Sequence, residues 1–537
     1  MIISAAACEG SERVGEWASR RIGEWERGWP GPLVWVGAAA LGLLITLLPL
    51  PVAAAVLLLP TILILIYLYP LFGLGLALLA GPFGAVESVI LGPSPLDSGQ
   101  MLLLLTLAIW LLKGLGRGRV VIPATPLNLP LLLFIGVAAL ASLNAPAPAF
   151  ALRELLKWVE VLLVMWLVVG EFRVSSFEFQ VTHHAPRITP SIILTIILIP
   201  ALIQALIGIW QFGRGEGPEH FLILGRFYRA YGTFEQPNPF GGYMALNASL
   251  ALGAVAGGLV HFWTRRWGDA ATRGNPIHSK LETRNLKLET PFVALCAAAT
   301  GLALVMSWSR GAWLGFAAAV GTLVLFLPRK RWHGLLLVAL AVAGLAISLQ
   351  LNLLPASVAE RLTSWQDDFQ LGDVRGVDIN DANYAVLERL AHWQAALDMA
   401  RDNLWLGVGF GNYEPSYPDY DLLNWPYPLG HAHNYYLNLL AEVGVIGLIA
   451  YLILWATIFW QTIHLLKLSD WRWRGVALGL LAGWTALSVH HLLDKLYVNN
   501  IYIHLGALAG LLSVLTIEAE KARHLTKLGS ISAIKSS

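Results

Sequence analysis

Charged residues are rare in this sequence. They make up 13% of the 537 residues, whereas hydrophobic residues make up 56%. A soluble protein carries about 25% charged residues on average, because its surface must be hydrated. Apolar runs recur along almost the whole chain, so the sequence predicts that lipid is the solvent for most of this protein.

Cysteine is nearly absent as well. Cys8 lies in a polar N-terminal segment and Cys296 inside an apolar run, so no disulfide framework is expected. Residues 1–32 lack the short apolar core and small-residue cleavage site of a signal peptide. Their tryptophans and arginines at helical spacing suit a helix on the membrane surface, or a polar leader that contains tryptophans.

A nucleotide-binding glycine loop is also missing. Gly407-Val-Gly409-Phe-Gly411 has no preceding strand and no Lys-Ser/Thr pair. It therefore predicts a backbone turn with positive φ rather than a phosphate loop. The segments assigned below to the cytoplasm are short, so chemistry driven by ATP on the inner face is not expected.

Apolar runs of spanning length are abundant. They predict helices near 33–50, 52–69, 71–91, 98–113, 128–145, 154–172, 191–212, 239–262, 291–309, 311–328, 333–353, 434–463, 475–493 and 499–516. Two close pairs make the count 12 to 14 spans. The expected fold class is an all-α polytopic membrane protein.

The basic residues predict the orientation. With the N-terminus inside, 25 of the 36 Lys and Arg residues fall in cytoplasmic segments and 11 outside. The positive-inside rule then predicts that both termini are cytoplasmic. The longest hydrophilic stretch, 354–432, falls on the extracytoplasmic side, and its Trp, Tyr, Asp and Asn content predicts a folded lobe. We expect any active site on that side.

Three polar clusters at predicted helix ends are candidates for chemistry. The first contains Arg226, Arg229 and Asn238, in a turn that leads into a helix. The planar fork of arginine suits diphosphate oxygens, and a helix N-terminus adds N–H donors. An arginine paired with Glu235 or extended to lipid headgroups would explain the same residues.

The second cluster is Ser309-Arg310-Gly311, between two apolar runs. A charge near the membrane boundary needs a partner or a ligand. Gly311 and Gly315 have the spacing that lets another helix approach closely. A tight hairpin capped by Arg310 is the alternative.

The third cluster begins at His431 and His433, where the long loop ends and a helix starts. A histidine can accept a proton from an acceptor hydroxyl at neutral pH. Helix capping or packing by His433 is the alternative. A metal site is not favoured, because the i, i+2 spacing does not put two ligands on one helix face and no carboxylate with ligand spacing is nearby in sequence.

Further polar residues accompany these clusters. Asn434, Asn438 and Glu442 share one face of the helix after His433. Arg389 belongs to a predicted amphipathic helix within the long loop. A last group at an outer helix end could line the cavity or pair internally: His490, His491, Asp494 and Lys495.

One motif resembles a known family. His433-Asn434, nine residues, Gly444, two residues and Gly447 are similar to the histidine motif of the O-antigen ligase family, H-[NSQ]-x9-G-x2-[GTY], at all four fixed positions. Three further segments resemble that superfamily in the same order, and the resemblance covers about residues 190–465. They are Arg229-Ala-Tyr-Gly-Thr-Phe with Pro237-Asn238, Ser309-Arg310-Gly311, and Gly407-Val-Gly409.

The resemblance implies an enzyme: a metal- and nucleotide-independent transferase without a cofactor, acting in polysaccharide biosynthesis of the cell envelope. The donor would be a glycan on undecaprenyl diphosphate, and the acceptor a lipid or glycan hydroxyl at the outer face of the cytoplasmic membrane. By carry-over, Arg229 and Arg310 bind the donor diphosphate and His433 activates the acceptor, with Arg389 as a further donor contact. Supporting residues are Arg226, Asn238, Asn434, Glu442, Gly444 and Gly447. Membrane lipids are expected partners and nucleic acid is not.

The family is divided among ligases, polymerases and protein-glycosylating members, and some relatives are labelled inorganic-carbon transporters. A membrane transporter without transferase activity is therefore the alternative, although no clear internal repeat is found. The predicted divisions are an N-terminal segment (1–32), N-terminal membrane helices (33–189), the ligase-like core (190–465), C-terminal membrane helices (466–516) and a basic tail (517–537).

Overall fold

The structure is a computed structural model that describes residues 36, 49–92, 96–118, 122–182, 187–223, 225–267, 276–328, 330–354, 356, 359, 373–380 and 383–536. The predicted N-terminal segment 1–32 and most of the first predicted helix, 33–50, lie outside the described residues. The chain separates into two compact units, Met1–Leu68 and Tyr69–Ser537.

The described residues are mostly helical. The first unit contains α1 (Leu50–Leu68). The second unit contains α2 (Pro70–Ala80), α3 (Gly84–Leu91), α4 (Ser98–Gly116), α5 (Asn128–Ala141), α6 (Pro148–Thr182), α7 (Pro190–Arg214), α8 (Pro237–Trp267), α9 (Pro276–Met306), α10 (Arg310–Phe326), α11 (Arg331–Gln350), α12 (Tyr384–Asp402), α13 (Tyr413–Ser416), α14 (Tyr435–Leu468), α15 (Trp471–His490) and α16 (Ile501–Ser536). Strands β1 (Leu222–Ile223) and β2 (Phe227–Tyr228) form one antiparallel hairpin.

Sequence and structure agree on these helices. Every predicted span from 52–69 onward overlaps a helix, which confirms the all-α polytopic class. Five helices of the second unit begin at a proline, whose fixed φ suits the first helical position.

Within the described part of the chain, 7 segments are long and apolar enough to cross a membrane: Pro70–Ile90, Ser98–Gly116, Pro190–Arg214, Pro237–Thr264, Arg331–Gln350, Tyr435–Leu468 and Ile501–His524. Shorter apolar helices accompany them, so the predicted total of 12 to 14 spans stays a prediction. The tail predicted at 517–537 continues α16 as far as Ser536.

The closest helix packing joins α8 and α15. A Cβ added to Gly253 would lie 2.3 Å from the nitrogen of Gly479, and one added to Gly257 would lie 2.4 Å from the Cα of Gly475. Each helix thus offers two glycines four residues apart, and the backbones touch there. Small residues at this spacing are the usual means by which membrane helices approach closely.

Helix α10 packs on the other side of α15. A Cβ on Gly315 would lie 2.6 Å from the carbonyl oxygen of Ala486, and one on Gly311 would lie 2.6 Å from Cδ2 of His490. This confirms the prediction that Gly311 and Gly315 admit another helix. The C-terminal residue of α15, His490, is thereby held against the first turn of α10.

The predicted folded lobe is confirmed for its described part, residues 373–380 and 383–432. Its predicted amphipathic helix is α12. Two apolar clusters hold the lobe together, one around Met399, Tyr413 and Tyr417, the other around Leu387, Leu390 and Trp425.

The glycine contact between α8 and α15 can be tested by substitution. We expect Gly257→Ala to lower the free energy of unfolding by about 1–3 kcal/mol, because the added methyl group must displace backbone atoms. Gly301→Ala is the matched control: a Cβ there meets no described atom within 4 Å, so the variant should be neutral or slightly stabilised. Thermal unfolding in detergent measures both, and equal losses would contradict the close approach.

Candidate active site

Arg229 connects the first turn of α8 with the turn before α10. Its Nε donates a hydrogen bond to the carbonyl oxygen of Ser307 at 2.9 Å, and its Nη2 donates to Oδ1 of Asn238 at 3.0 Å. Arg310 is the half-buried first residue of α10, whose N-cap is Ser309. Two predicted clusters that are far apart in sequence are therefore one structural feature.

The chain approaches α8, α10 and α14 with the same backbone conformation. Glu235, Trp308 and His433 each lie two positions before the first helical residue and have positive φ values of 59°, 50° and 50°. This left-handed conformation costs a residue with a Cβ on the order of 1 kcal/mol or more, and such residues concentrate at functional sites. Asn499, with a φ of 48°, stands at the same position before α16, so the conformation is shared by four helix starts.

His490 connects these helix starts. A Cβ on Gly242 in α8 would lie 3.0 Å from Nδ1 of His490, and the ring also lies against Gly311 of α10. The guanidinium of Arg389, on α12, lies close enough for its charge to act on His490. The backbone carbonyl oxygen of the next residue, His491, accepts a hydrogen bond from the backbone N–H of Tyr435 at 2.8 Å, which brings the start of α14 to the same place.

Beside His490, one carboxylate faces two histidines. Oδ1 of Asp494 lies 3.7 Å from Nδ1 of His433 and 3.6 Å from Nε2 of His431. The side chains are 7%, 16% and 18% exposed, respectively. These distances are too long for direct hydrogen bonds but suit the pairing of a carboxylate with a charged imidazole.

The backbone fixes the tautomer of His431. Its Nδ1 accepts the backbone N–H of His433 at 3.1 Å, so in the neutral ring Nε2 carries the hydrogen and directs it towards Asp494. Burial lowers the pKa of His431 to about 3. Burial works to raise the pKa of Asp494, but the neighbouring histidines hold it well below its usual range. At neutral pH the pair is therefore a neutral histidine and an ionised carboxylate.

The same three side chains have the composition of a metal site. Their ligand atoms lie within 4.8 Å of one another. Asp494 follows α15 and is distant in sequence from His431 and His433, so the spacing of residues around the histidines did not reveal this carboxylate. The tautomer fits metal binding poorly, however: a ligating Nε2 needs a bare lone pair and a hydrogen on the other ring nitrogen. In His431 the backbone imposes the opposite arrangement.

The lobe contributes His392 to the site. Its Nδ1 lies 2.9 Å from the hydroxyl oxygen of Tyr413, and its ring stacks on Tyr417 at 4.9 Å. The ring centroid is 5.6 Å from that of His433. Arg389 and His392 are three residues apart on α12, so one face of this helix lies over the site. Sequence analysis singled out Arg389 but not His392.

Helix capping at α14 is performed by Asn434 and not by His433. Oδ1 of Asn434 accepts the backbone N–H groups of Tyr436 at 3.0 Å and Leu437 at 3.1 Å. Oδ1 of Asn438 accepts the N–H of Ala432 at 3.1 Å. The capping alternative for His433 is wrong, and the two asparagines fix the backbone on either side of it.

Glu442 and Gly444 attach the lobe to α14. The helix is interrupted at Gly444, which has a φ of 63°, and a Cβ there would lie 2.3 Å from the carbonyl carbon of Trp405. The carbonyl oxygens freed by the interruption, those of Ala441 and Glu442, accept the N–H groups of Val408 and Gly409 at 2.9 and 3.0 Å.

The predicted glycine turn is confirmed, since Gly407, Gly409 and Gly411 all have positive φ. A carboxylate oxygen of Glu442 also accepts the N–H of Tyr413 at 3.3 Å. Gly447 leaves room for Val443, the residue one turn before it. These motif residues shape the lobe rather than contact the histidines.

Arg226 differs from the other predicted supporting residues. It is exposed in the turn between β1 and β2, and its guanidinium lies 5.0 Å from the ring centroid of Phe227. The contacts described for it are with the hairpin.

Comparison with known families identifies the segment that carries most of this site. Residues 294–452 match the O-antigen ligase family. The match includes Arg310, Arg389, His433 and the interruption at Gly444, whereas Arg229 and Asp494 lie outside it. No curated protein matches the chain.

The family match confirms the resemblance to O-antigen ligases. It supports a glycosyltransferase-type enzyme of glycan biosynthesis that works in a membrane on a lipid-linked glycan. It gives no support to the transporter alternative.

The site predicts a dependence of stability on pH. Burial, with a smaller contribution from His433, lowers the pKa of His392 to about 4 from an ordinary value of 6.5. Between these pH values the unfolded chain binds a proton that the folded chain excludes, so stability is lost as pH falls below 6.5. For one group the loss at pH 5 reaches about 2 kcal/mol.

Thermal unfolding at pH 7.5 and pH 5 measures this dependence. His392→Gln should show a smaller loss than the wild type, and His464→Gln, far along α14, should keep the full loss. An unchanged loss in His392→Gln would contradict the assignment to His392.

Proposed function

We propose that the protein transfers a glycan from undecaprenyl diphosphate to a hydroxyl acceptor, with His433 as the base. The observation that carries the proposal is the position of His433: an ionised carboxylate faces one ring nitrogen, and arginine-bearing helix starts adjoin the same cluster through His490. The match to O-antigen ligases gives the reaction class.

The donor diphosphate is proposed to lie at the starts of α8 and α10. Arg229 and Arg310 supply two permanent positive charges there, and Arg389 adds a third from α12. The N-termini of both helices add a favourable dipole. As the bond from the sugar to the diphosphate breaks, negative charge grows on the leaving diphosphate. Groups placed in advance stabilise that charge more in the transition state than in the ground state.

His433 is proposed to accept the proton of the acceptor hydroxyl. Nδ1 faces Asp494, so Nε2 is the nitrogen that takes the proton. The acceptor oxygen then bonds to the anomeric carbon, and the electron pair of the old bond leaves with the diphosphate. The carboxylate of Asp494 stabilises the imidazolium that forms, as acidic partners of catalytic histidines do.

The proposal requires neither a metal nor a nucleotide, because arginines and helix ends provide the positive charge. Sidedness follows from the basic residues, which favour cytoplasmic termini and an extracytoplasmic site. The motif is shared by ligases and polymerases, and the acceptor that becomes labelled in an assay distinguishes the two.

The role of His433 as the base is tested by its substitution in the reconstituted protein. We expect His433→Gln to lower the release of undecaprenyl diphosphate by a factor of about 10²–10⁴, the usual contribution of a general base. His333→Gln, at the exposed start of α11, should retain activity. Folding of each variant is checked by thermal unfolding. Full release by a folded His433→Gln variant would refute the role of the base.

Substitution of Asp494 tests its role as a residue that positions and stabilises the His433 imidazolium. Asp494→Asn should lower kcat by about 10²-fold or more while the KM for the donor changes little, because the carboxylate acts on the imidazolium and not on the diphosphate. Asp494→Glu should restore part of kcat. A higher KM with unchanged kcat would contradict this role.

A further inference from the structure

A second polar site lies at the opposite end of the helix bundle. Helix α15 has 20 residues and spans about 30 Å, so its first turn is far from His490. There the starts of α7 and α15 and the facing parts of α8 and α9 enclose a cavity of about 40 Å³. It is lined by Ser191, Leu194, Val255, Thr290, Arg472 and Trp473, among others.

Arg472 is the charged group of this cavity. Its Nη2 donates a hydrogen bond to Oγ of Ser191 at 3.0 Å, and its guanidinium lies 4.6 Å from the ring centroid of Trp473. Both contacts hold the planar guanidinium at the cavity wall. Ser191 and Thr290 add hydroxyl groups to the lining. This combination of a guanidinium fork with hydroxyl donors suits phosphate oxygens.

The N-terminus of α7 adds to the positive potential, whereas the carboxylate of Asp470 offsets the dipole of α15. Ser191 is the second residue of α7, and Arg472 is the second residue of α15. Among the described contacts, Thr189 makes no side-chain cap to α7, whereas Asp470 caps α15 by accepting the N–H of Trp473 at 3.1 Å. The carboxylate of Asp470 is thus engaged with its own helix. The dipole of α7 favours a bound anion at this end of the helix.

We propose that this cavity binds the phosphate headgroup of an anionic phospholipid. The remaining lining is apolar and continues onto helices that cross the membrane, so the ligand must combine a phosphate with an apolar body. A volume of about 40 Å³ holds a few water-sized groups and no acyl chain. The headgroup therefore occupies the cavity while the chains lie along the bundle. A tryptophan beside a basic residue is typical of the membrane interface.

A lipid bound in this cavity would lie beside the glycine contact between α8 and α15. Gly258 and Val476 line the cavity, and each is the neighbour in sequence of a glycine in the contact between α8 and α15. A lipid bound there contacts both helices at the base of that contact and stabilises the pair. This inference is independent of the proposed transferase activity.

The test uses the full-length protein in detergent after removal of bound lipid. Dioleoylphosphatidylglycerol should raise the thermal unfolding temperature by several degrees more than dioleoylphosphatidylcholine, and native mass spectrometry should retain the anionic lipid on the wild type. Arg472→Gln should lose the difference between the two lipids. Ser191→Ala, a milder change, should reduce it by about half.

Arg331→Gln is the matched control. Arg331 also lies in the first turn of a helix and over an aromatic ring, 5.4 Å from the centroid of Phe326, but it does not line the cavity. It should keep the full shift. Equal shifts for the two lipids, or a full shift in both cavity variants, would overturn the proposal. A shift given by inorganic phosphate and not by phosphatidylglycerol would overturn the lipid as ligand.

Discussion

The close approach of α8 and α15 is the contact on which the candidate site depends. Four glycines bring the two backbones together near one end of α15. The rest of α15 then runs alongside α8 and α10, and its last residue, His490, reaches the second turn of α8 and the first turn of α10. The segment after α15 carries Asp494 to His433. A side chain at the glycine positions would separate the helices and move the carboxylate that faces the histidine.

The same end of the bundle contains left-handed backbone and buried charges. Left-handed residues precede the starts of α8, α10, α14 and α16, and buried charges lie close to them. The ammonium of Lys495, the neighbour of Asp494, lies 3.1 Å from Oε1 of Glu154, and Lys157 lies 2.6 Å from Oε2 of the same residue. Buried ion pairs contribute little net stability. Here the ion pair between Lys495 and Glu154 holds the segment that carries Asp494. The pair therefore contributes to the position of Asp494 rather than to the free energy of unfolding.

Local features of this protein were predictable from sequence. Apolar runs gave the helices, and the spacing of Gly311 and Gly315 predicted the approach of another helix. The glycine turn at Gly407 was predicted because φ preference is a property of a few neighbouring residues. The histidine motif also indicated the family.

Contacts between distant segments were not predictable in the same way. Asp494 faces His433 only after α14 and α15 have packed side by side, and no spacing rule connects the two residues. The interruption at Gly444 is hidden within an apolar run, where hydropathy predicts a continuous helix. Its cause is a tertiary contact with the turn at Gly407. Likewise, the hydrogen bonds of Arg229 to Ser307 and Asn238 depend on the fold of two separate helix starts.

The interruption of α14 also limits how the lobe can vary. Carbonyl oxygens of Ala441 and Glu442 are bonded by backbone N–H groups of Val408 and Gly409, and unbonded carbonyls within an apolar environment are costly. The turn at Gly407 must therefore keep its length and its backbone shape, whatever its side chains become. Elsewhere the lobe is constrained at α12, whose Arg389 and His392 lie over the site, and by its apolar clusters. Parts of the lobe that contact neither the turn nor the site can thus vary in sequence while the turn beneath them remains constant.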